Sequence, residues 1–266
     1  MGDGLFVAEI FWQTNVMGTV NILESLRLLN KKCISVIITS DKCYENQEWE
    51  WGYRESDRIG GSDPYSASKG SAELVFKSYF ESFFSKIEFE ETRLASARAG
   101  NVIGGGDWAR NRIVPDCIKA WSENNSVYIK SPNSTRPFQH VLEPLSGYLC
   151  LAKNLTSNKS FSGHSFNFGP NSHANYKVID VVNELSKSWP DSSWEIDSSN
   201  QKDFNESKLL KLNCDKALSL LKWKPCLNFK QTMELTIKWY FEFYNYSNIN
   251  IFDKCCEQIK LFDQLI

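Results

Sequence analysis

Histidine is scarce in this chain: His140, His164 and His173 are the only three in 266 residues, and they form neither an H-x-x-x-H nor an H-E-x-x-H pattern. A metal centre is therefore not expected. Neither sign of charge is in excess, since 30 Lys plus Arg face 32 Asp plus Glu for a formal net charge of −2. No broad basic field exists to draw in nucleic acid or an anionic membrane, so an anionic ligand must be met by individually placed cations. Long apolar runs are also missing. Stretches such as Ile34 to Ile38 stop far short of the roughly 20 residues needed to cross a bilayer. Met1-Gly-Asp-Gly-Leu5 has neither the basic nor the apolar segment of a secretory leader. A cytoplasmic chain without membrane or nucleic-acid partners is expected. The eight cysteines are scattered with no C-x-x-C pair, which points to free, mostly buried thiols.

What is present suits a packed globular fold, with 42% hydrophobic and 14% aromatic residues. Val16, Val20, Leu23 and Leu26 recur at helical spacing between Thr14 and Leu29. Cys33 to Ser40 reads as a β-branched strand buried on both faces of a parallel sheet, whose carboxyl end should carry function. Glu45 to Gly61 is a long polar, Trp-bearing loop. Asp63-Pro64 then starts a helix that can run to about Phe84, with Ala72, Val75, Tyr79 and Phe83 on one stripe. A second buried strand spans Thr92 to Ile103, completing a βαβ pattern. Further on, helices are expected at Ile113 to Trp121, Leu142 to Ala152, Tyr176 to Ser188, Leu209 to Leu220 and Lys230 to Tyr244. Short strands are expected at Val127 to Lys130 and Ser165 to Phe168, and surface loops at Asn154 to Ser162 and Asp191 to Lys208.

Tyr65 and Lys69 stand four residues apart on the first turns of the helix that Asp63 starts, so an ammonium can lie beside a phenol and favour its ionised form. That spacing is common by chance, and context has to carry it. The context is Thr39-Ser-Asp-Lys-Cys-Tyr44 closing one strand and Arg98-Ala-Gly-Asn-Val-Ile-Gly104 closing the next. Together with Thr14-Asn-Val-Met-Gly-Thr19, Trp51-Gly-Tyr-Arg-Glu55, Gly100-Asn-Val-Ile-Gly-Gly-Gly-Asp-Trp108 and Thr135-Arg-Pro-Phe-Gln-His-Val-Leu-Glu-Pro144, these runs resemble the extended short-chain dehydrogenase/reductase family, in its branch of dehydratases that act on CDP-glucose. The likeness extends from about Thr14 to the end.

The resemblance implies a hydro-lyase with a tightly held NAD. Such an enzyme oxidises C4 of the glucosyl ring, eliminates water across C5 and C6, and reduces C6, giving CDP-4-keto-6-deoxyglucose for dideoxysugar and O-antigen synthesis. By position, Tyr65 would be the base at the C4 hydroxyl, with Lys69 lowering its pKa and holding the nicotinamide ribose. Ser40 would bond the same hydroxyl, Asp41 would be the acid at C6, and Lys42 the base at C5. Lys42 can act so only as the neutral amine, which desolvation or the Lys69 charge would have to favour. Asn15 would shape the cofactor site around Lys69, Arg136 would contact the diphosphate, and Asn101, Arg112 and Trp108 are further substrate contacts. Plainer readings stand beside these: Asp41 and Lys42 as solvated strand-end charges, Asn15 as a helix-start polar residue, Arg136 as a solvated loop cation, and Trp49, Trp51 and Tyr53 as ordinary packing rather than a sugar cover.

One departure from the family is large. Its dinucleotide site uses an N-terminal βαβαβ half with a glycine-rich first turn, and nothing before Thr14 resembles it. Gly104-Gly-Gly-Asp-Trp-Ala109 is the only G-x-G-x-x-A run, and it reads as a substrate loop rather than a phosphate cradle. The expectation is therefore an α/β chain holding a partial Rossmann sheet, its N-terminal half missing by about three βα units, with a smaller α+β substrate domain. Residues 1–107 would belong to the Rossmann part, with contributions from about 138–170, and 108–266 mainly to sugar-nucleotide binding. A late start codon, a decayed fragment and a true short protein all remain open. So do two other functions, a non-catalytic sugar-nucleotide-binding or partner protein and an NAD-dependent epimerase, the latter disfavoured because Asp41 and Lys42 offer elimination chemistry. The family likeness also implies a homodimer.

Overall fold

The computed structural model describes residues 8–29, 31–171, 174–196 and 209–266, and His173 therefore lies outside the described residues. Its contacts divide the chain into two compact units: 1–100 with 145–169 and 210–224, and 101–144 with 170–209 and 225–266. The first unit thus reclaims 210–224 from the segment that the sequence suggested for substrate binding, and the second begins at Asn101 rather than Trp108.

In the first unit helical residues 8–11 continue through a widened turn, Trp12–Met17, which runs directly into helix α1, Gly18–Leu28. Leu23 and Leu26 are buried, as their spacing predicts. Strand β1, Cys33–Ile38, lies parallel to β2, Thr92–Ala99, in the register Cys33 to Thr92 through Ile38 to Ala97. Helix α2, Pro64–Tyr79, connects them, and a widened turn, Phe80–Phe84, finishes the helical stretch expected to reach Phe84. Strand β3, Ser165–Phe168, adds to the other side of β2, so the order is β1-β2-β3, all parallel. The sequence expectation of a β1 buried on both faces is corrected. Among the described residues it is the edge strand, Cys33 to Ile37 are half-buried, and Ile38 is 51% exposed. An apolar run tells that a strand packs, not how many neighbours it has.

Leu23, Leu26, Phe76, Phe84 and Leu94 form one core between the helices and the sheet. Ala95, Ala97, Phe166 and Phe168 pack with Leu151, Leu155 and Trp223 on the other face. The small residues of β2 let the bulky rings of β3 and its covering helix approach closely. The expected helix from Leu209 is also corrected. Tyr53 N–H donates to the Lys211 carbonyl and Asn213 N–H to the Tyr53 carbonyl, so the stretch before Asp215 is extended, and helical residues run only from Asp215 to Leu221. Tertiary pairing with the Trp-bearing loop outweighs a weak local helix preference there.

The second unit packs helix Ile113–Ser122 against Val178–Ser186 and Phe229–Asn245 around Trp121, Ile129, Val181, Leu185, Met233 and Tyr240. Short two-strand ladders pair Val102–Ile103 with Gln139–His140, Val127–Ile129 with Trp194–Ile196, and Thr135–Arg136 with Tyr176–Lys177. The strand at Trp194–Ile196 occupies part of the loop expected at Asp191 to Lys208, the rest of which lies outside the described residues. Helix Leu142–Ser157 outlasts its expected end at Ala152, and Ile251–Asp263 forms a helix that periodicity did not single out.

Candidate active site

Ser40 ends β1 in extended conformation and caps a short turn, Asp41–Cys43, by accepting the Lys42 N–H at 3.2 Å. Its hydroxyl donates to Asp41 Oδ1 at 2.9 Å. Asp41 is buried and Lys42 half-buried, so neither is a freely solvated strand-end charge. The reason Asp41 fits lies across the sheet. A Cβ on Gly100, just beyond the end of β2, would sit 1.9 Å from Asp41 Oδ2, so only glycine leaves room for that carboxylate.

The start of α2 meets this turn. Asp63 accepts the N–H groups of Tyr65 and Ser66, each at 3.0 Å, and the Ser66 hydroxyl at 2.6 Å. Burial works to raise the Asp63 carboxyl, but these Ser66 and Tyr65 bonds and the nearby Lys42 charge outweigh it and hold the group below its ordinary range. Gly70 lies against the Cys43 carbonyl, with its absent Cβ 3.2 Å from that oxygen, so the helix seats closely on the turn. Lys42, Arg58, Ser62 and Ser66 line one cavity of about 450 Å³. Tyr65 is 36% exposed and meets the Phe11 ring edge to face at 5.3 Å. Lys69 Nζ lies 6.0 Å from the Tyr65 ring centroid, and burial lowers the Lys69 pKa. Asn15 donates to Ser68 Oγ at 2.9 Å, and that hydroxyl donates to the Tyr65 carbonyl at 2.7 Å. Asn15 thus steadies the turn between Tyr65 and Lys69. Ser40, Asp41, Lys42, Tyr65, Lys69 and Asn15 all belong to the first unit.

The remaining predicted residues belong to the second unit. Asn101 adopts a left-handed backbone with φ 48°, and its buried Nδ2 finds no acceptor among the described residues, so it is a ready donor. Arg136 is buried on its short strand, where Nη1 donates to the Thr135 carbonyl at 2.8 Å, which sets aside the reading of a solvated loop cation. Arg112 is exposed and pairs with Asp107 at 2.8 Å. Trp108 is packed among the rings of Trp239, Tyr240, Phe243 and Tyr244. Gly105 belongs to the same packing, since a Cβ there would lie 2.0 Å from Trp239 Cδ2, and one on Gly104 would lie 2.7 Å from Val141 Cγ1. The glycine run is therefore filled by this unit's own side chains and is no phosphate cradle. Tyr53 is likewise core, stacked on Tyr44 at 5.1 Å, whereas Trp51 is 73% exposed.

A buried polar cluster behind α2 escaped the sequence reading. Glu73 accepts from Thr39 Oγ1, from Ser96 Oγ at 2.9 Å and from Arg98 Nη2 at 2.8 Å, and Arg98 Nη1 also donates to Tyr44 Oη at 2.7 Å. Its one available signal was position: Glu73 follows Lys69 by four residues and precedes Phe76 by three on the same helix.

A three-stranded parallel sheet with a Tyr-x-x-x-Lys helix seated at the end of its edge strand defines a Rossmann-like fold of the extended short-chain dehydrogenase/reductase type. The sequence matches the model of the GDP-mannose 4,6 dehydratase family over residues 5–236, and the chain belongs to that family. It is 45% identical to CDP-glucose 4,6-dehydratase of Salmonella typhimurium over 86% of this chain and 64% of that one. It is 23% identical to human dTDP-D-glucose 4,6-dehydratase over 90% of this chain and 65% of that one. The chain thus spans about 64% of the length of the first of these relatives and 65% of the second. Among solved structures, Pal from Bacillus thuringiensis superposes with a TM-score of 0.73 at 20% identity, covering 91% of this chain and 72% of that one. The dTDP-glucose 4,6-dehydratase from Bacillus anthracis in complex with NAD gives 0.68 at 20% identity, covering 88% and 70%.

Proposed function

We propose that this chain carries the residues for sugar oxidation and water elimination of an NAD-dependent sugar-nucleotide 4,6-dehydratase, with CDP-glucose as substrate and CDP-4-keto-6-deoxyglucose as product. The observation that carries the reading is the seating of the Tyr65 to Lys69 turns on the Ser40-Asp41-Lys42 turn, through Gly70 against the Cys43 carbonyl. NAD, when bound, supplies the hydride acceptor and donor. The residues present fit its nicotinamide-ribose end: a part-exposed phenol at Tyr65 beside a half-buried amine at Lys69, on a turn braced by Asn15. The glycine run at Gly104 to Gly106 does not fit its pyrophosphate, because Trp239 and Val141 occupy that space.

In this reading Tyr65 takes the proton of the C4 hydroxyl, with Lys69 favouring the phenolate and Ser40 orienting the hydroxyl. A C4 carbonyl acidifies the C5 hydrogen, and Lys42 is the side chain placed to remove it. Asp41, buried and steadied by Ser40, gives a proton to the departing C6 hydroxyl. Asn101 and Arg136 would hold the diphosphate, Asn101 through its unengaged Nδ2. From the same family likeness we propose that the chain forms a homodimer.

The test is incubation of the chain with NAD and CDP-glucose, read by mass spectrometry as loss of one water from the substrate, with GDP-mannose and dTDP-glucose in parallel. CDP-glucose should be the substrate converted, and Lys42→Ala should lower turnover by about a hundredfold or more. Equal activity of Lys42→Ala sinks the assignment. A second reading, sugar-nucleotide binding without turnover, is favoured by the filled glycine run. It predicts a CDP-glucose-dependent rise in Tm with no NAD uptake in titration.

A further inference from the structure

We infer that the buried Glu73–Arg98 pair is a positioning device that sets the first turns of α2 against the end of β1, and so holds Tyr65 and Lys69 in register with Ser40, Asp41 and Lys42. The inference rests on the role proposed above for those five residues.

Glu73 sits one turn beyond Lys69 and two beyond Tyr65 on the same face of α2. Its carboxylate reaches all three strands of the sheet: Thr39 next to Ser40 at the end of β1, Ser96 and Arg98 on β2, and Ser165 on β3 at 3.2 Å. Arg98 extends the link to the far side of the catalytic turn, through Tyr44 Oη at 2.7 Å and the Glu55 carbonyl at 3.2 Å. Arg98 is also two residues before Gly100, the position that leaves room for Asp41. One ion pair, with side chains only 4% and 3% exposed, therefore touches the segment before Ser40, the residue after the Asp41–Cys43 turn and the helix that carries Tyr65. Burial alone would raise the Glu73 carboxyl, but the Arg98 contact and the Thr39 and Ser96 hydroxyl bonds outweigh it and hold the group below its ordinary range.

Stability does not explain why a charge pair stands there. Burying two ions costs several kcal/mol before their attraction is counted, and apolar pairs of similar volume serve a core equally well or better. What an apolar pair lacks is direction. A carboxylate with donors from three strands fixes the helix in rotation and along its axis, whereas packed methyl groups tolerate sliding.

The experiment compares the parent chain with Glu73→Gln and with the double variant Glu73→Leu/Arg98→Met. Lys69 is labelled with trinitrobenzenesulfonate across a pH series and quantified by peptide mass spectrometry, with Tm measured on the same samples. Burial holds the Lys69 pKa below the ordinary lysine range, and loosening the first turns of α2 would return the amine to water. The expected result is an upward shift of the Lys69 labelling midpoint in both variants, with the double variant keeping Tm close to that of the parent. The sign is decisive, because removing a nearby anion without movement would shift a lysine downward. A midpoint that is unchanged or lower in the variants overturns the inference, and if the double variant does not fold, Glu73→Gln alone decides in the same way. With NAD and CDP-glucose the variants should lose kcat more than they raise KM. A parent chain that forms no product while Lys69 still shifts would defeat the proposed function and leave the positioning role standing.

Discussion

Strands β1 and β2 lie side by side, parallel and in register, yet they hold their ends by different means. β2 is buried along almost its whole length, with Leu94, Ala95 and Ala97 inaccessible to solvent. β1 is half-buried on the sheet edge, and its last residue, Ile38, is half exposed. The candidate catalytic residues follow the less buried strand. Their geometry therefore cannot come from the packing of β1 alone. It comes from bonds reaching over from β2 and α2: Arg98 and Glu73 clasp Thr39 and Tyr44 on either side of the turn, and Gly100 makes the space that Asp41 fills. A strand positioned by burial tolerates solvent changes and dislikes changes of volume. An end positioned by hydrogen-bonded charge behaves the other way round.

The strongest way to break this contrast is Arg98→Ala, which leaves the Glu73 carboxylate buried without its counter-ion. We expect a loss of about 3–5 kcal/mol in urea unfolding. Arg93→Ala on the same strand, where the guanidinium only reaches the Leu155 and Thr156 carbonyls near the surface, should cost about 1 kcal/mol. If the two variants lose equal stability, the Glu73–Arg98 pair has no special standing.

Acid titration separates fixing by burial from fixing by charge. Burial pushes the His140 imidazole, in the second unit, from an ordinary value of 6.5 down to about 4. Between those values the unfolded chain binds a proton that the folded chain refuses. Stability is thus full above about 6.5 and falls as pH drops towards 4, by up to about 3 kcal/mol. His140→Gln should flatten that window. Glu73, with its carboxyl lowered by Arg98 against the opposing effect of burial, stabilises above its ordinary value of 4.5, and that contribution is lost only as pH falls below it. Urea midpoints of parent and His140→Gln between pH 7 and 3.5 would show the two steps, and a single step unaltered in the variant would contradict them.

Smaller effects sharpen the comparison at the strand ends. Gly100→Ala forces a methyl into the Asp41 carboxylate and should cost about 1–3 kcal/mol in thermal unfolding. Ile38→Thr, on the exposed end of β1, should stay within about 0.5 kcal/mol of the parent. A large effect of Ile38→Thr would mean that β1 is covered in solution.

Much of this was legible before any coordinates. The Asp63-Pro64 start of α2, the strand at Ser165–Phe168 and the helix at Ile113 onward follow from local rules, because capping and periodicity act within a few residues. The spacing of Tyr65 and Lys69 is likewise a property of one helix. The helix expected from Leu209 shows the limit: it starts only at Asp215, because the backbone before it finds better partners in Tyr53, more than 150 residues earlier. Trp108 shows it too: a tryptophan after a glycine run suggests a ligand, but the rings around it come from the helix at Phe229–Asn245.

The sequence by itself determined which residues have the chemistry: a phenol and an amine one turn apart, an acid and an amine after a strand, a few placed cations and no general field. Only the tertiary structure decided which of them are held, and by what. Hydrophobic periodicity reports that a residue is inside, but a buried carboxylate such as Glu73 is permissible only where Arg98, Thr39 and Ser96 converge on it from other strands. That convergence is a property of the fold, because desolvation makes every buried charge depend on partners that the chain brings from elsewhere.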